Sequence, residues 1–408
     1  MTMEDNVYCV IMVGGPGERL WPASTKKRPK PFLPLTGRLP LIKEVTERIK
    51  PIFPKERILF ILQEEHKKLA EELFPEFTEK NYIIEPEPKD TAAAIGLASL
   101  CLPSGSTMVV LSGDHYIPDE DRFRKAISAG IKFIEEDQEM LLLFGIKPTR
   151  PETGYGYLEA DEVLTEIDGI RIRRVKGFCE KPNKEKAELY LADQNYSWSS
   201  GMFIWKKERI QGLLARFMPE LWEGLCQIRD GKEKEGVFKG LKKLSIDYGV
   251  LEKTDSVVMI EADFSWDDVG TWESLLRVHQ TDEKGNLIIE KVEKSNTDEK
   301  GNLIIGKVEE SNTDEKGNLI IGKVEESNTD EKGNLIIGKV EKSNTTECII
   351  YSENGQVITV GVSDLVIVQV GNKVLIAGKD RSDEIKQMVK MVQVNGTQIF
   401  ADLQDNIL

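Results

Sequence analysis

The segment Val7-Tyr8-Cys9-Val10-Ile11-Met12-Val13 is apolar without alternation and ends at Gly14-Gly15, which predicts a strand buried on both faces and followed by a tight turn. Runs of the same kind recur at Arg57 to Leu62, Thr107 to Leu111 and Met140 to Ile146. Between them, Glu64 to Phe74 and Arg122 to Glu136 carry apolar residues at the three-to-four spacing of amphipathic helices. Buried strands alternating with such helices predict an α/β fold, a doubly wound sheet whose ligand crevice lies at the carboxyl ends of its strands.

The pattern changes at 281, where a 16-residue unit recurs four times in tandem: Thr281 to Asn296, Thr297 to Asn312, Thr313 to Asn328 and Thr329 to Asn344. The copies differ only where Glu290 replaces glycine and at a Lys/Glu position (Lys294, Glu310, Glu326, Lys342). Each unit joins a Lys-Gly-Asn turn to Leu-Ile-Ile, Lys-Val and a polar stretch, the composition of one strand-and-turn rung of a β-helix. Stacked copies would align Leu287, Leu303, Leu319 and Leu335 in one ladder, whereas looping out would leave them as a charged insertion. A strand-rich continuation from Cys348 to Ala377 and an amphipathic closing helix over Asp383 to Val394 follow. The expected organisation is therefore a catalytic domain over 1–280, a β-solenoid domain over 281–378 containing the repeats (281–344), and a C-terminal helix and tail over 379–408.

The chain has 408 residues, 40% of them hydrophobic, enough for one large domain and a smaller companion. Its formal charge of -15 argues against nucleic acid or an anionic membrane as partner, because either calls for a net basic face. Five cysteines without CxxC spacing suggest neither a zinc site nor a disulfide framework, and fit buried thiols in a reducing cytoplasm. The first apolar run is too short for a signal-peptide core or a membrane span.

Candidate chemistry begins where the first strand meets Gly14-Gly15-Pro16-Gly17-Glu18-Arg19-Leu20-Trp21-Pro22, with Pro29-Lys30-Pro31-Phe32 shortly after. Glycines after a strand let the backbone approach a phosphate chain closely. The pattern is neither the dinucleotide fingerprint nor a Walker loop, since Leu20 stands where the last glycine would and no Gly-Lys-Ser/Thr follows. Arg19 and Lys30 are cations suited to neutralising a triphosphate and a departing pyrophosphate, the alternative being an ordinary loop with basic residues on its surface.

The motif GGPGERLWP with PKPF resembles the signature of the nucleoside-diphosphate-sugar pyrophosphorylases, and its RLWP tryptophan resembles the mannose-1-phosphate guanylyltransferase branch. Further segments follow in that family's order: Glu85-Pro86 with Lys89-Asp90-Thr91-Ala92-Ala93-Ala94-Ile95, Leu111-Ser112-Gly113-Asp114-His115, Gly154-Tyr155-Gly156-Tyr157, Phe178-Cys179-Glu180-Lys181-Pro182, Trp198-Ser199-Ser200-Gly201-Met202-Phe203, Ser245-Ile246-Asp247-Tyr248 and Trp266-Asp267-Asp268-Val269-Gly270-Thr271-Trp272. The resemblance spans about the first 280 residues and the non-repeated part from 345 to 380. It departs at Ser112-Gly113, where the family commonly has a proline-containing PxDH, and at Ser199, where asparagine is common and sugar-hydroxyl contacts are made.

The resemblance implies a Rossmann-like nucleotidyltransferase fold of mixed sheet with a C-terminal β-helix, and transfer of GMP from GTP to mannose 1-phosphate with release of pyrophosphate. It assigns Gly14, Gly15, Gly17, Arg19, Lys30, Asp90, Thr91 and Ala92 to the nucleotide. Gly156, Glu180, Lys181, Ser199 and Gly201 fall to the sugar phosphate, where the two glycines would leave room for a sugar ring. Asp114 and Asp268 would carry Mg²⁺, whose preference is for hard oxygen ligands, and with Arg19 and Lys30 they complete the catalytic set. His115 could hydrogen-bond a phosphate, orient Asp114 or be structural. A second copy of the chain is the expected partner through the C-terminal domain.

Rival readings are the same chemistry on another sugar phosphate, such as a heptose phosphate, or with dTTP or UTP, and a non-catalytic scaffolding homologue. An additional metal-dependent isomerase domain is excluded, because the three histidines, His66, His115 and His279, all precede 281.

Overall fold

The computed structural model describes residues 6–15, 17–37, 39–278, 280–281, 287–288, 304–305, 320–321, 327–329, 334–343 and 345–392. Contacts divide the chain into two compact units, residues 1–14 with 42–268 and residues 15–41 with 269–408.

The first unit is built on a nine-stranded mixed sheet of β1 (Val7–Met12), β2 (Ile58–Gln63), β3 (Tyr82–Glu85), β4 (Thr107–Ser112), β5 (Leu141–Ile146), β6 (Gly156–Ile167), β7 (Ile170–Glu180), β8 (Tyr196–Lys206) and β9 (Val257–Ala262), in the order β3-β2-β1-β4-β8-β5-β9-β7-β6. β1, β2, β3 and β4 are mutually parallel, with Cys9 opposite Ile58 and Val109. β8 runs antiparallel to β4 and β5. The continuous apolar runs are the central strands, and β5 is buried at every position. Crossovers are made by helices α1 (Leu41–Ile49), α2 (Glu64–Leu73), α3 (Thr91–Cys101) and α4 (Glu120–Glu136). Along α4 the spacing of Phe123, Ile127, Ile131 and Ile134 buries one face against the sheet. In contrast, α3 is apolar all round because the core encloses it: Ala92, Ala93, Ile95 and Leu97 are all buried. This architecture places Gly14, Glu85 and Asp114 just beyond or at the carboxyl ends of parallel strands, where an open α/β sheet leaves its crevice.

In the second unit, β15 (Leu335–Ser343), β16 (Ile349–Val360) and β17 (Leu365–Val370) form successive parallel rungs, Leu335 opposite Ile349 and Ile349 opposite Val366. β18 (Lys373–Gly378) closes the sheet antiparallel. Ile336, Cys348, Ile350 and Ile367 make the small core. Asn334, from the Lys-Gly-Asn turn, is fully buried; its amide donates to Thr345 O at 2.7 Å and its Oδ1 accepts from Cys348 N at 2.9 Å. A polar side chain thus serves as an internal brace between rungs.

Within the repeats, β12 (Ile304–Ile305) and β13 (Ile320–Ile321) pair parallel with Ile304 opposite Ile320, an offset of one whole unit, as stacking requires. The ladder is not uniform, however. β10 (Gln280–Thr281) with β11 (Leu287–Ile288), and β14 (Ser327–Thr329) with β15, pair antiparallel, Gln280 opposite Ile288 and Ser327 opposite Ile337. Leu335 is buried, and Leu303 and Leu319 lie outside the described residues.

Candidate active site

Within the first unit, the loop after β4 is zipped to the stretch before Val269. Tyr116 N donates to Asp267 O at 2.9 Å and Asp267 N to Tyr116 O at 3.1 Å, so Asp114 and His115 run beside Asp267 and Asp268 in antiparallel register. Ser112 Oγ donates to Asp114 Oδ1 at 2.5 Å, a bond that the proline common at this position could not make. His115 Nδ1 accepts the indole N–H of Trp266 at 3.2 Å, which leaves Nε2 as the ring's donor, 3.9 Å from Asp114 Oδ1.

Tyr155 packs edge-on against both Trp198 and Trp266 and donates to Asp268 Oδ1 at 2.5 Å. Burial first, and the negative charge of Asp268 and Asp267 next, push its hydroxyl far above the usual tyrosine value, so it remains a donor. Arg150 binds the same cluster: Nη2 reaches Tyr155 Oη at 3.1 Å and Asp267 Oδ2 at 4.0 Å, and the guanidinium lies 4.9 Å from the Trp198 ring centroid. Among the described residues no three His, Cys, Asp or Glu side chains gather around one metal position. Two carboxylates on bridged segments nevertheless suit Mg²⁺, which takes one or two protein carboxylates and completes its shell from phosphate oxygens and water.

The sugar-phosphate candidates surround the β6–β7–β8 junction. Ser199 stands in register between Gly145 and Gly156, and the Ser199 and Ser200 hydroxyls are buried without a hydrogen-bond partner among the described residues. Such groups cost about 1–3 kcal/mol each until a partner arrives. A side chain at Gly156 would meet Glu180 Oε2 at 2.6 Å and Phe178 Cζ at 3.0 Å, so glycine is required by protein neighbours there. Gly201 instead needs its positive φ of 69°, with open space around it. Lys181, itself in a left-handed conformation with φ 49°, pairs with the buried Glu180 carboxylate. That pairing keeps its amine above the ordinary lysine value against partial desolvation. Asp247 faces both; burial and the Glu180 charge push its carboxyl up to about 7.

At the end of β3, Glu85 is buried and its carboxyl is pushed up to about 7, chiefly by burial and against the Lys89 N–H, which donates to it at 3.1 Å. Asp90 caps α3, accepting from Thr91 N at 2.8 Å, with φ 73°. Thr91 Oγ1 accepts from Ile246 N at 2.8 Å and Ala92 N donates to Leu244 O at 3.4 Å, so the 244–246 segment is seated on the helix start.

Within the second unit, Gly17 has φ 59°, and a side chain there would strike Lys30 Cβ at 2.7 Å and Ser24 Oγ at 2.8 Å. The glycine therefore lets Lys30 pack into the loop, where it is only 6% exposed rather than an ordinary surface lysine. Trp272 Nε1 donates to Trp21 O at 3.2 Å while its ring lies 5.3 Å from Tyr351, and Arg28 pairs with Glu353 at 2.6 Å. Arg19 is held by Asp383.

Sequence reasoning missed Arg150 and the parts played by Tyr155 and Trp266. Both of these, like Asp267 and Asp247, stood inside the motifs, and their neighbours reveal their setting only in three dimensions.

A nine-stranded mixed sheet with Asp114 and Glu85 at or beyond the carboxyl ends of its parallel strands is an open α/β architecture with its ligand crevice there. The sequence model of the nucleotidyl transferase family matches residues 8–285, and that of the MannoseP isomerase/GMP-like beta-helix domain matches 339–392. The chain belongs to the nucleotidyl transferase family, with a C-terminal β-helix domain, and is an enzyme of that class. It is 31% identical over 96% of its length to a mannose-1-phosphate guanylyltransferase of Escherichia coli K12, covering 75% of that protein. It is 36% identical over 69% of its length to the xanthan biosynthesis protein XanB of Xanthomonas campestris, covering 61% of it. Among solved structures, that of a mannose-1-phosphate geranyltransferase from Thermus thermophilus matches with a TM-score of 0.74 and 30% identity over 95% of this chain and 99% of the other. No helix among the described residues is long and apolar enough to cross a membrane.

Proposed function

We propose that the protein transfers GMP from GTP to mannose 1-phosphate, giving GDP-mannose and pyrophosphate. The observation that carries the chemistry is the bridged pair of segments that brings Asp114 beside Asp267-Asp268 under Tyr155 and Arg150. Mannose and guanine are supported by relatives named as mannose-1-phosphate guanylyltransferases along nearly the whole chain. A phosphate oxygen of the sugar phosphate attacks the α-phosphorus of GTP in line; the α–β bridging P–O bond breaks and its electron pair leaves with pyrophosphate. Nothing covalent forms on the protein, so its work is to align two polyanions and offset their charge.

Asp114 and Asp268 would hold Mg²⁺, which when bound supplies positive charge to the phosphates. Tyr155 and Ser112 orient these carboxylates through the hydrogen bonds described. Arg19 and Lys30 offset the triphosphate, and Lys181 grips the sugar phosphate while Glu180, Ser199 and Ser200 meet sugar hydroxyls. Glu85, near neutrality at the end of β3, and the Asp90-Thr91-Ala92 helix start take the base and its ribose. We further place the catalytic domain at 1–280, the β-solenoid domain at 281–378 and the closing helix and tail at 379–408, with a homodimer contact through the C-terminal domain. Five free cysteines support a reducing, cytoplasmic setting.

The test is pyrophosphate release across a matrix of nucleoside triphosphates and sugar 1-phosphates with Mg²⁺. GTP with mannose 1-phosphate should give the highest kcat/KM. A lead of about tenfold or more for another pair, such as dTTP or UTP with glucose 1-phosphate or GTP with a heptose phosphate, equals ~1.4 kcal/mol of transition-state binding and would overturn the assignment.

A further inference from the structure

The helix over residues 382–392 lies along residues 18 and 19 of the glycine-rich loop. Asp383 Oδ1 accepts from Arg19 Nε at 2.9 Å and lies 2.8 Å from its Nη2. Seven residues further on, Lys390 Nζ is 3.6 Å from Glu18 Oε2. Positions three and seven apart share a helix face, so Lys386 stands on the same stripe, between two residues already anchored to the loop. Ile385 and Val389 are buried and fix which face that is.

We propose that this helix is part of the polyphosphate site: Lys386 binds the nucleotide's triphosphate and the departing pyrophosphate beside Arg19, and Asp383 holds the Arg19 fork until a phosphate replaces it. The inference rests on the reading that the glycine-rich loop receives the triphosphate.

Its physical basis is the local charge pattern. Arg19, Lys386 and Lys390 lie together with Glu18 and Asp383, and burial together with the fields of Arg19 and Lys390 holds the Lys386 amine below the ordinary lysine value, outweighing both carboxylates. An arriving polyanion would relieve that repulsion. Asp383 is 78% exposed, so its bond to Arg19 is a surface pair, weak enough to exchange for a bidentate phosphate contact. The carboxylate keeps the guanidinium aimed along the loop meanwhile, which reduces the ordering required on binding.

Inorganic pyrophosphate titrated calorimetrically into the full-length protein tests this. Lys386→Ala should weaken binding by about fivefold or more, with Lys386→Arg restoring most of it, since a partly exposed charge contact carries roughly that factor. In turnover assays the same variant should raise KM for the nucleotide and leave KM for the sugar phosphate unchanged. Asp383→Asn, which removes the competing charge, should tighten pyrophosphate about twofold or more. Lys373→Ala, on exposed β18, is the charge control and should change nothing. If Arg19→Ala loses pyrophosphate while Lys386→Ala binds it like the wild type, the helix is not part of the site although the loop reading stands. If neither variant weakens binding, the loop reading fails as well. Weaker binding by Asp383→Asn would overturn the placeholder role and make Asp383 a positioning residue for Arg19.

Discussion

Asp247→Asn removes one charge from the sugar-phosphate corner at almost constant volume. Burial, and then the Glu180 carboxylate, raise the Asp247 carboxyl from 3.8 to about 7, against the pull of Lys181 and the Ser245 hydroxyl. The native protein therefore keeps a proton that the unfolded chain has already released between those two values. Stability falls as pH rises through this window, and the full cost is present above it. A shift of roughly three units corresponds to about 4 kcal/mol. Water reaching a half-buried carboxylate reduces this to on the order of 2 kcal/mol. Asparagine has no such cost, so the variant should be more stable than the wild type at pH 8. Its advantage should shrink as the pH is lowered to 5, where the wild-type carboxyl is protonated. Urea midpoints of both proteins across that range measure the difference. An advantage of the same size at both ends, or a variant less stable than the wild type at pH 8, would refute the assignment of a half-buried, Glu180-opposed carboxyl.

Asp114→Asn and Asp268→Asn should each lower kcat by on the order of a hundredfold or more with the fold retained, checked by steady-state kinetics and circular dichroism; more than about a third of the wild-type rate at saturating Mg²⁺ would remove that residue from the metal site. Lys30→Ala should mainly weaken use of the triphosphate and Lys181→Ala that of the sugar phosphate, read as separate KM and kcat effects; equal effects on both substrates from both variants would end this division. Deleting one 16-residue copy should leave soluble expression and turnover intact, because Ile304 opposite Ile320 shows pairing offset by one whole unit, whereas deleting eight residues should damage folding. A folded but inactive single-copy protein would give the repeats a part in the site or in an obligatory assembly.

Much of the first unit was legible because its strands are buried on both faces. The runs at 7–13, 57–62, 107–111 and 140–146 became β1, β2, β4 and β5 within a residue or two, since burial leaves little choice of side chain. β6 and β7 were not legible as strands. Only their inner halves are covered, and from Asp161 onward β6 is mostly exposed or half-buried, so Glu159 to Ile167 carry no continuous apolar signal. The closing helix was legible from its stripe, but its partner was not: Arg19 and Asp383 are 364 positions apart, and neither side chain marks the other. Likewise nothing near Arg150 indicates that it will lie over Trp198 and reach Tyr155.

Backbone conformation at the site was hidden for a different reason. Asp90, Lys181 and Val269 all have positive φ, at 73°, 49° and 48°, although none is glycine and valine is β-branched. Each such residue costs on the order of 1–3 kcal/mol and persists only where surrounding structure over-determines it. Asp90 is fixed by its bond to the start of α3, Lys181 by its N–H to Tyr155 O at 3.2 Å and its pairing with Glu180, and Val269 by burial directly after Asp268. These three positions lie in the segments assigned to base, sugar phosphate and metal. Local propensity opposes all three conformations, so a reading by propensity fails where the chain is held for binding. In the proposed site the residue types at 90, 181 and 268 carry the chemistry, and the constrained backbone at 90, 181 and 269 holds them in place.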